Sequence, residues 1–105
     1  MSKCKITVLK TMFNKDLVDE YVEKERRKTL GPCDVFKEGQ VFIADSVSGM
    51  PPGFCPWAWD DIYKVITAYY AGGNFGMWYE GGDHLIACCT DGTRPVVFKI
   101  EKLLE

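Results

Sequence analysis

Apolar and polar residues alternate through Lys3-Cys4-Lys5-Ile6-Thr7-Val8, which predicts a strand over residues 3–10 with Cys4, Ile6 and Val8 on its buried face. The period then changes. Leu17, Val18, Tyr21 and Val22 fall on one helical stripe behind a capping Asn14, with Asp16, Asp19 and Glu20 near the start, so a helix is expected to about residue 28. Its mixed-charge tail, residues 23–28, reads as a solvated helix end. Gly31-Pro32 stops the helix and leaves Cys33 in a turn. A second strand is expected over residues 41–45 after a bend at Gly39, followed by a loop over 46–52 that Pro51-Pro52 stiffens.

The second helix is expected to start at Pro56, whose missing N–H is one that a first helical turn cannot use, and to end at Gly72-Gly73. Trp57, Trp59, Ile62, Tyr63, Val65, Ile66, Tyr69 and Tyr70 surround most of it, more than one sheet face covers. Either the glycine-rich segment 74–83, with Phe75, Met77, Trp78 and Tyr79, folds over it as a lid or core closure, or a second subunit does in a homo-oligomer.

The last pattern is a hairpin, residues 84–89 and 94–103 joined across Thr90-Asp91-Gly92-Thr93. A four-residue loop is expected because a two-residue turn would require an N–H that Pro95 lacks. That register sets Cys89 opposite Arg94, Ala87 opposite Val96, Ile86 opposite Val97 and Leu85 opposite Phe98. Leu85, Ala87, Val96, Phe98 and Ile100 then face the core, with Cys89 and Arg94 at the turn end of that face and Cys88 pointing away. His84 falls at the far end, near Lys99, in a strand-end role. Together these elements predict a single α+β domain over residues 1–105, a mainly antiparallel sheet of about four strands with two helices.

Composition narrows the function classes. Apolar residues make up 47% and charged residues 27% of the 105, which is ordinary globular usage. A net charge of -2, with basic residues interleaved among acidic ones, disfavours a nucleic-acid partner. No apolar run approaches the roughly 20 residues that span a bilayer, and the first residues lead straight into a strand, so a cytoplasmic location without a membrane partner is expected. Five cysteines without a secretory segment are read as reduced thiols.

The chemistry converges on Gly53-Phe54-Cys55-Pro56-Trp57-Ala58-Trp59. Cys55 becomes the helix cap, facing free backbone N–H groups and the positive end of the dipole, which favours a thiolate, while Asp60 and Asp61 place opposing negative charge nearby. Three motifs, G-P-C-D-V-F-K-E-G-Q (31–40), G-F-C-P-W-A-W (53–59) and A-C-C-T-D-G-T-R-P-V-V-F-K-I (87–100), resemble those of a family of small prokaryotic proteins of about this length, common in anaerobes. The match runs over nearly the whole chain, at Cys33, Cys55, Trp57, Trp59, Cys88, Cys89, Asp91, Gly92, Arg94 and Pro95, and departs from the pattern in the charged residues 23–29. The resemblance implies membership and carries no activity or cofactor with it.

Two function classes follow from the residues. The first is a small-molecule pocket in which Cys55, Cys89 and Arg94 carry thiol-dependent chemistry and Trp57, Trp59, Trp78 and Arg94 hold the ligand. The second is a zinc or iron site on Cys33, Cys55, Cys88 and Cys89, against which stands the absence of any C-x-x-C pair. A third reading treats the thiols as core residues of an interaction module.

Overall fold

The computed structural model describes residues 3–46 and 49–103 and is a small α+β fold. Residues 47 and 48, within the expected stiff loop, and the two at each terminus lie outside the described residues. The element order is β1 (Lys3–Thr11), α1 (Lys15–Tyr21), α2 (Lys24–Arg27), β2 (Val41–Ala44), α3 (Pro56–Tyr70), β3 (His84–Cys88) and β4 (Val96–Leu103). The four strands form one antiparallel sheet in the order β2-β1-β4-β3.

Alternation places Cys4, Ile6 and Val8 of β1 and Val96, Phe98 and Ile100 of β4 on one face, all buried. Helix α3 packs across that face through Ala58, Ile62, Val65, Ile66 and Tyr69. Each fully buried side chain of this size contributes roughly 1.5–3 kcal/mol, so this sheet–helix layer dominates the stability. The tail of α3 is fixed to the sheet edge where the Tyr70 hydroxyl donates to the Ala44 carbonyl at 2.9 Å.

The expected long first helix is instead two short ones. Val22 is extended (ψ 146°), and Glu23 caps α2 by accepting from the backbone N–H groups of Glu25 and Arg26. The Arg27 guanidinium reaches back to the carbonyls of Asp19 and Val22, supplying donors that the end of α1 lacks. Of the expected stripe only Val18 is buried, and Tyr21 is 75% exposed. Asn14 makes no side-chain cap either; its side chain is used elsewhere, at the hairpin.

The hairpin register is displaced by two residues from expectation. Leu85 opposes Ile100, Ala87 opposes Phe98 and Cys88 opposes Val97, while the Cys89 N–H donates to the Val96 carbonyl at 3.1 Å. The loop therefore runs over residues 90–95. Its β4 side keeps pairing with the continuation of β1: Met12 N–H donates to Pro95 O at 2.8 Å and Asn14 N–H to Thr93 O at 2.9 Å, which holds the loop open. A shift of two preserves the strand faces, so Cys89 remains on the core side and Cys88 is exposed. His84 stands opposite Glu101 instead of near Lys99, with its ring against Tyr79.

The glycine-rich segment divides. Phe75 packs on Tyr69 with centroids 5.3 Å apart and closes the core, whereas Met77 and Trp78 are 93% and 81% exposed.

Two ionisable groups sit deep in the layer. Burial pushes the Cys4 thiol up to about 11 against the opposing pull of Lys102. Burial, reinforced by Asp83, Cys4, Glu101 and Tyr79, pushes the Tyr69 hydroxyl up to about 12. Among the described residues that hydroxyl has no hydrogen-bond partner. Both groups ionise more readily in the unfolded chain, so their contribution is intact below the ordinary thiol value of 9.0 and is lost as pH rises through about 11 and 12. Urea midpoints should fall steadily from pH 9 upward. Tyr69→Phe should lessen the upper part of that fall and raise stability near pH 7 by about 1 kcal/mol, because it deletes an unpaired buried hydroxyl. A destabilised Tyr69→Phe protein would mean that the hydroxyl is satisfied.

Candidate functional site

Buried phenylalanines position two of the cysteines. Cys33 lies three residues before Phe36, and Cys55 directly follows Phe54; both rings are almost wholly buried. They meet edge to face at 5.0 Å, and each also packs on Phe42 and on Phe98. Gly39 (φ +88°) and Gly53 (φ +81°) make the reversals that let these loops insert their rings, in a region of backbone space that side chains rarely adopt. The thiols thus sit at the edge of an aromatic plug. Cys55 is the N-cap of α3, with Pro56 at the first helical position, and its carbonyl accepts from Trp59 N–H at 2.9 Å. Its side chain makes no cap bond, so the first-turn amides of Trp57 and Ala58 have no partner within the helix.

The third cysteine comes from the hairpin. The Cys89 sulfur accepts from the Val96 N–H at 3.3 Å and is buried. Next to it, Thr90 is bound to α3 through both its backbone N–H and its hydroxyl. Its N–H donates to the Asp61 carboxylate at 2.7 Å, its hydroxyl lies 3.1 Å from both oxygens of that carboxylate, and the hydroxyl oxygen accepts from Trp57 Nε1 at 2.8 Å. Asp61 therefore clamps the hairpin to the helix, and α3 has no acidic residue in its first turn.

Asp91 builds the loop. One of its oxygens accepts from the Thr93 N–H, the Thr93 hydroxyl and the Arg94 N–H at 2.9–3.2 Å, and the other faces Arg94 Nε at 3.4 Å. Burial alone would raise this carboxyl; the bonds from Thr93 and Arg94 outweigh it and hold the group below its ordinary value of 3.8. The side chain of Asn14 donates to the Gly92 carbonyl at 2.7 Å and ties the loop to the start of α1.

These pieces enclose a cavity of about 530 Å³. Cys33, Cys55 and Cys89 line it together with Arg94 and Asp91. Val35, Phe36, Ala58 and Val96 supply apolar wall, and Trp57, 64% exposed, stands at its edge. Trp59 and Trp78 do not line it. Trp59, partly buried, packs against the core between Phe54 and Tyr63, and Trp78 lies over a separate apolar hollow with Phe75, Met77, Tyr79 and Leu85. Cys88 faces out of the other side of β3, so Cys33, Cys55, Cys88 and Cys89 do not form one ligand set; among the described residues no group of three or more His, Cys, Asp or Glu is placed to hold a metal ion. The five thiols are free. No helix among the described residues is long and apolar enough to cross a membrane.

Sequence reasoning did not find Thr90 or Asn14 as parts of this site, and it read Asp61 only as negative charge near the helix start, not as a partner of the hairpin. Asp91-Gly92-Thr93 was a legible signal, since an aspartate two residues before a threonine favours a side-chain-closed turn. The Asp61–Thr90 pairing joins residues 29 positions apart and left no local trace.

Thr90→Val removes the hydroxyl from both partners while keeping the shape. It should lower stability by about 1 kcal/mol and free Trp57, seen as faster loss of fluorescence anisotropy in a Trp59→Phe, Trp78→Phe background. Unchanged stability and anisotropy would show that the clamp does not hold the cavity wall.

Comparison with known proteins finds no family model, no curated protein and no solved structure that matches this chain.

Proposed function

We propose that this protein binds a small molecule in the cavity between the start of α3 and the hairpin loop, and that Cys55 and Cys89 provide thiol-dependent chemistry on what is bound there. One observation supports this above others: three cysteines from segments distant in sequence, and the cation Arg94, line one cavity of about 530 Å³. That volume falls within the roughly 300–1,000 Å³ usual for small-molecule sites. The mostly apolar lining with few polar groups has the same character.

Cys55 is the better candidate for a reacting thiol. It is only half-buried, it caps a helix of 15 residues, and first-turn amides with no partner within the helix lie beside it. Cys89, buried and bonded to Val96 N–H, is suited to a supporting position or to a step that follows ligand entry. Cys33 lines the same cavity as a third thiol. A reducing compartment such as the cytoplasm suits five free cysteines, and the long motif matches are the reason for placing the chain with the small prokaryotic family that it resembles.

The test is site-resolved alkylation of the folded protein with iodoacetamide in a Cys88→Ser background, which removes the exposed thiol outside the cavity. Cys55 should react first and Cys4 should stay unmodified until the chain unfolds. Cys55→Ser should abolish the fast phase. Unchanged kinetics in that variant would take Cys55 out of the site.

A further inference from the structure

We infer that the cavity selects a planar carboxylate, a conjugated or aromatic acid whose two oxygens meet Arg94 and whose flat apolar body lies against Trp57. This rests on the small-molecule reading of the cavity and adds the chemical class of ligand.

The sign of the ligand charge follows from which polar groups at the wall are already spent. Both carboxylate oxygens of Asp91 are engaged, one by three donors and the other by Arg94 Nε. The Thr90 hydroxyl lies between Trp57 and Asp61 and is also used. Arg94 is different. Of its guanidinium only Nε is engaged among the described residues, and the side chain is two-thirds shielded, with 32% exposed. Its terminal nitrogens are thus open donors on a partly desolvated cation at a mostly apolar wall. A two-oxygen anion matches that planar fork, whereas a cation would be repelled by the guanidinium and would find one Asp91 oxygen already held by three donors.

The shape of the ligand follows from Trp57. Its one polar atom is bonded to Thr90, and the clamp from Asp61 fixes that hydroxyl, so the indole is held as a rigid wall at the cavity edge. Two-thirds of its surface is exposed in a position where burying an aromatic face against a flat partner is favourable. A carboxylate conjugated to a flat body uses both features at once.

The probe is trans-cinnamate, compared by titration calorimetry with cinnamamide, which keeps the plane without the charge, and with 3-cyclohexylpropanoate, which keeps the charge without the plane. Cinnamate should bind about tenfold tighter than either. Arg94→Gln should erase its advantage over the amide, and Arg94→Lys, which keeps the charge, should retain part of it. Trp57→Leu should erase the advantage over the cyclohexyl acid. Circular dichroism confirms that each variant is folded. Protection of Cys33 and Cys55 from alkylation by each probe separates the two ways of failing. If all three compounds bind and protect alike, the ligand class is wrong and the cavity remains a small-molecule site. If no compound binds or protects either thiol, the class and the cavity reading are both overturned.

Discussion

The pairing of β1 with β4 does not stop where the strands do, and the architecture of the site depends on that. Beyond Thr11 the chain keeps giving its N–H groups to the hairpin, from Met12 to Pro95 and from Asn14 to Thr93, with the Asn14 side chain added at Gly92. Each bond is worth only about 0.5–1.5 kcal/mol net, yet together they fix residues 92–95 as an open platform instead of a tight turn. Pro95 fits this arrangement because it is asked for its carbonyl and not for an N–H. Arg94 is presented from that platform, and Asp91 closes it from within.

The second half of the site depends on packing. Phe36 and Phe54 bury their rings against Phe98 in the central strand, and the segments bearing Cys33 and Cys55 follow them. Removing such a ring costs on the order of 3–5 kcal/mol, so these loops are anchored firmly although they have little regular structure. The Asp61–Thr90–Trp57 chain joins the anchored helix start to the platform. A cavity between two independently supported walls can stay open in the absence of a ligand, since neither wall relies on contents for its position.

The strands were legible because a two-residue period is unambiguous when one face is buried: Cys4, Ile6, Val8, Val96, Phe98 and Ile100 all lie where alternation put them. The start of α3 was legible from Pro56 and its C-terminus from Gly72-Gly73. The break at Val22 was not, because the capping role of Glu23 and the backbone contacts of Arg27 compete with an acceptable helical stripe only once the chain is folded. The two-residue error in the hairpin has a similar origin. Local turn rules counted the loop from the hairpin alone, while its length is set by a third segment, residues 12–14. Cys55, Cys89 and Arg94 line one cavity, and Cys89 keeps its expected face because a register shift of two does not turn a strand over. Trp59 and Trp78 could not be sorted from Trp57 by sequence, since all three are large apolar residues near turns and only tertiary packing decides which of them stays at the wall.

The central claim is that the hairpin platform and the α3 start form one ligand site. Amide and indole chemical-shift mapping of a small-fragment screen on the labelled protein tests it most directly. The account expects perturbations to gather at Cys33, Cys55, Ala58, Thr90, Arg94 and Val96 together with the Trp57 indole N–H. Perturbations gathered instead around Phe75, Trp78 and Leu85, or scattered without a centre, would contradict it.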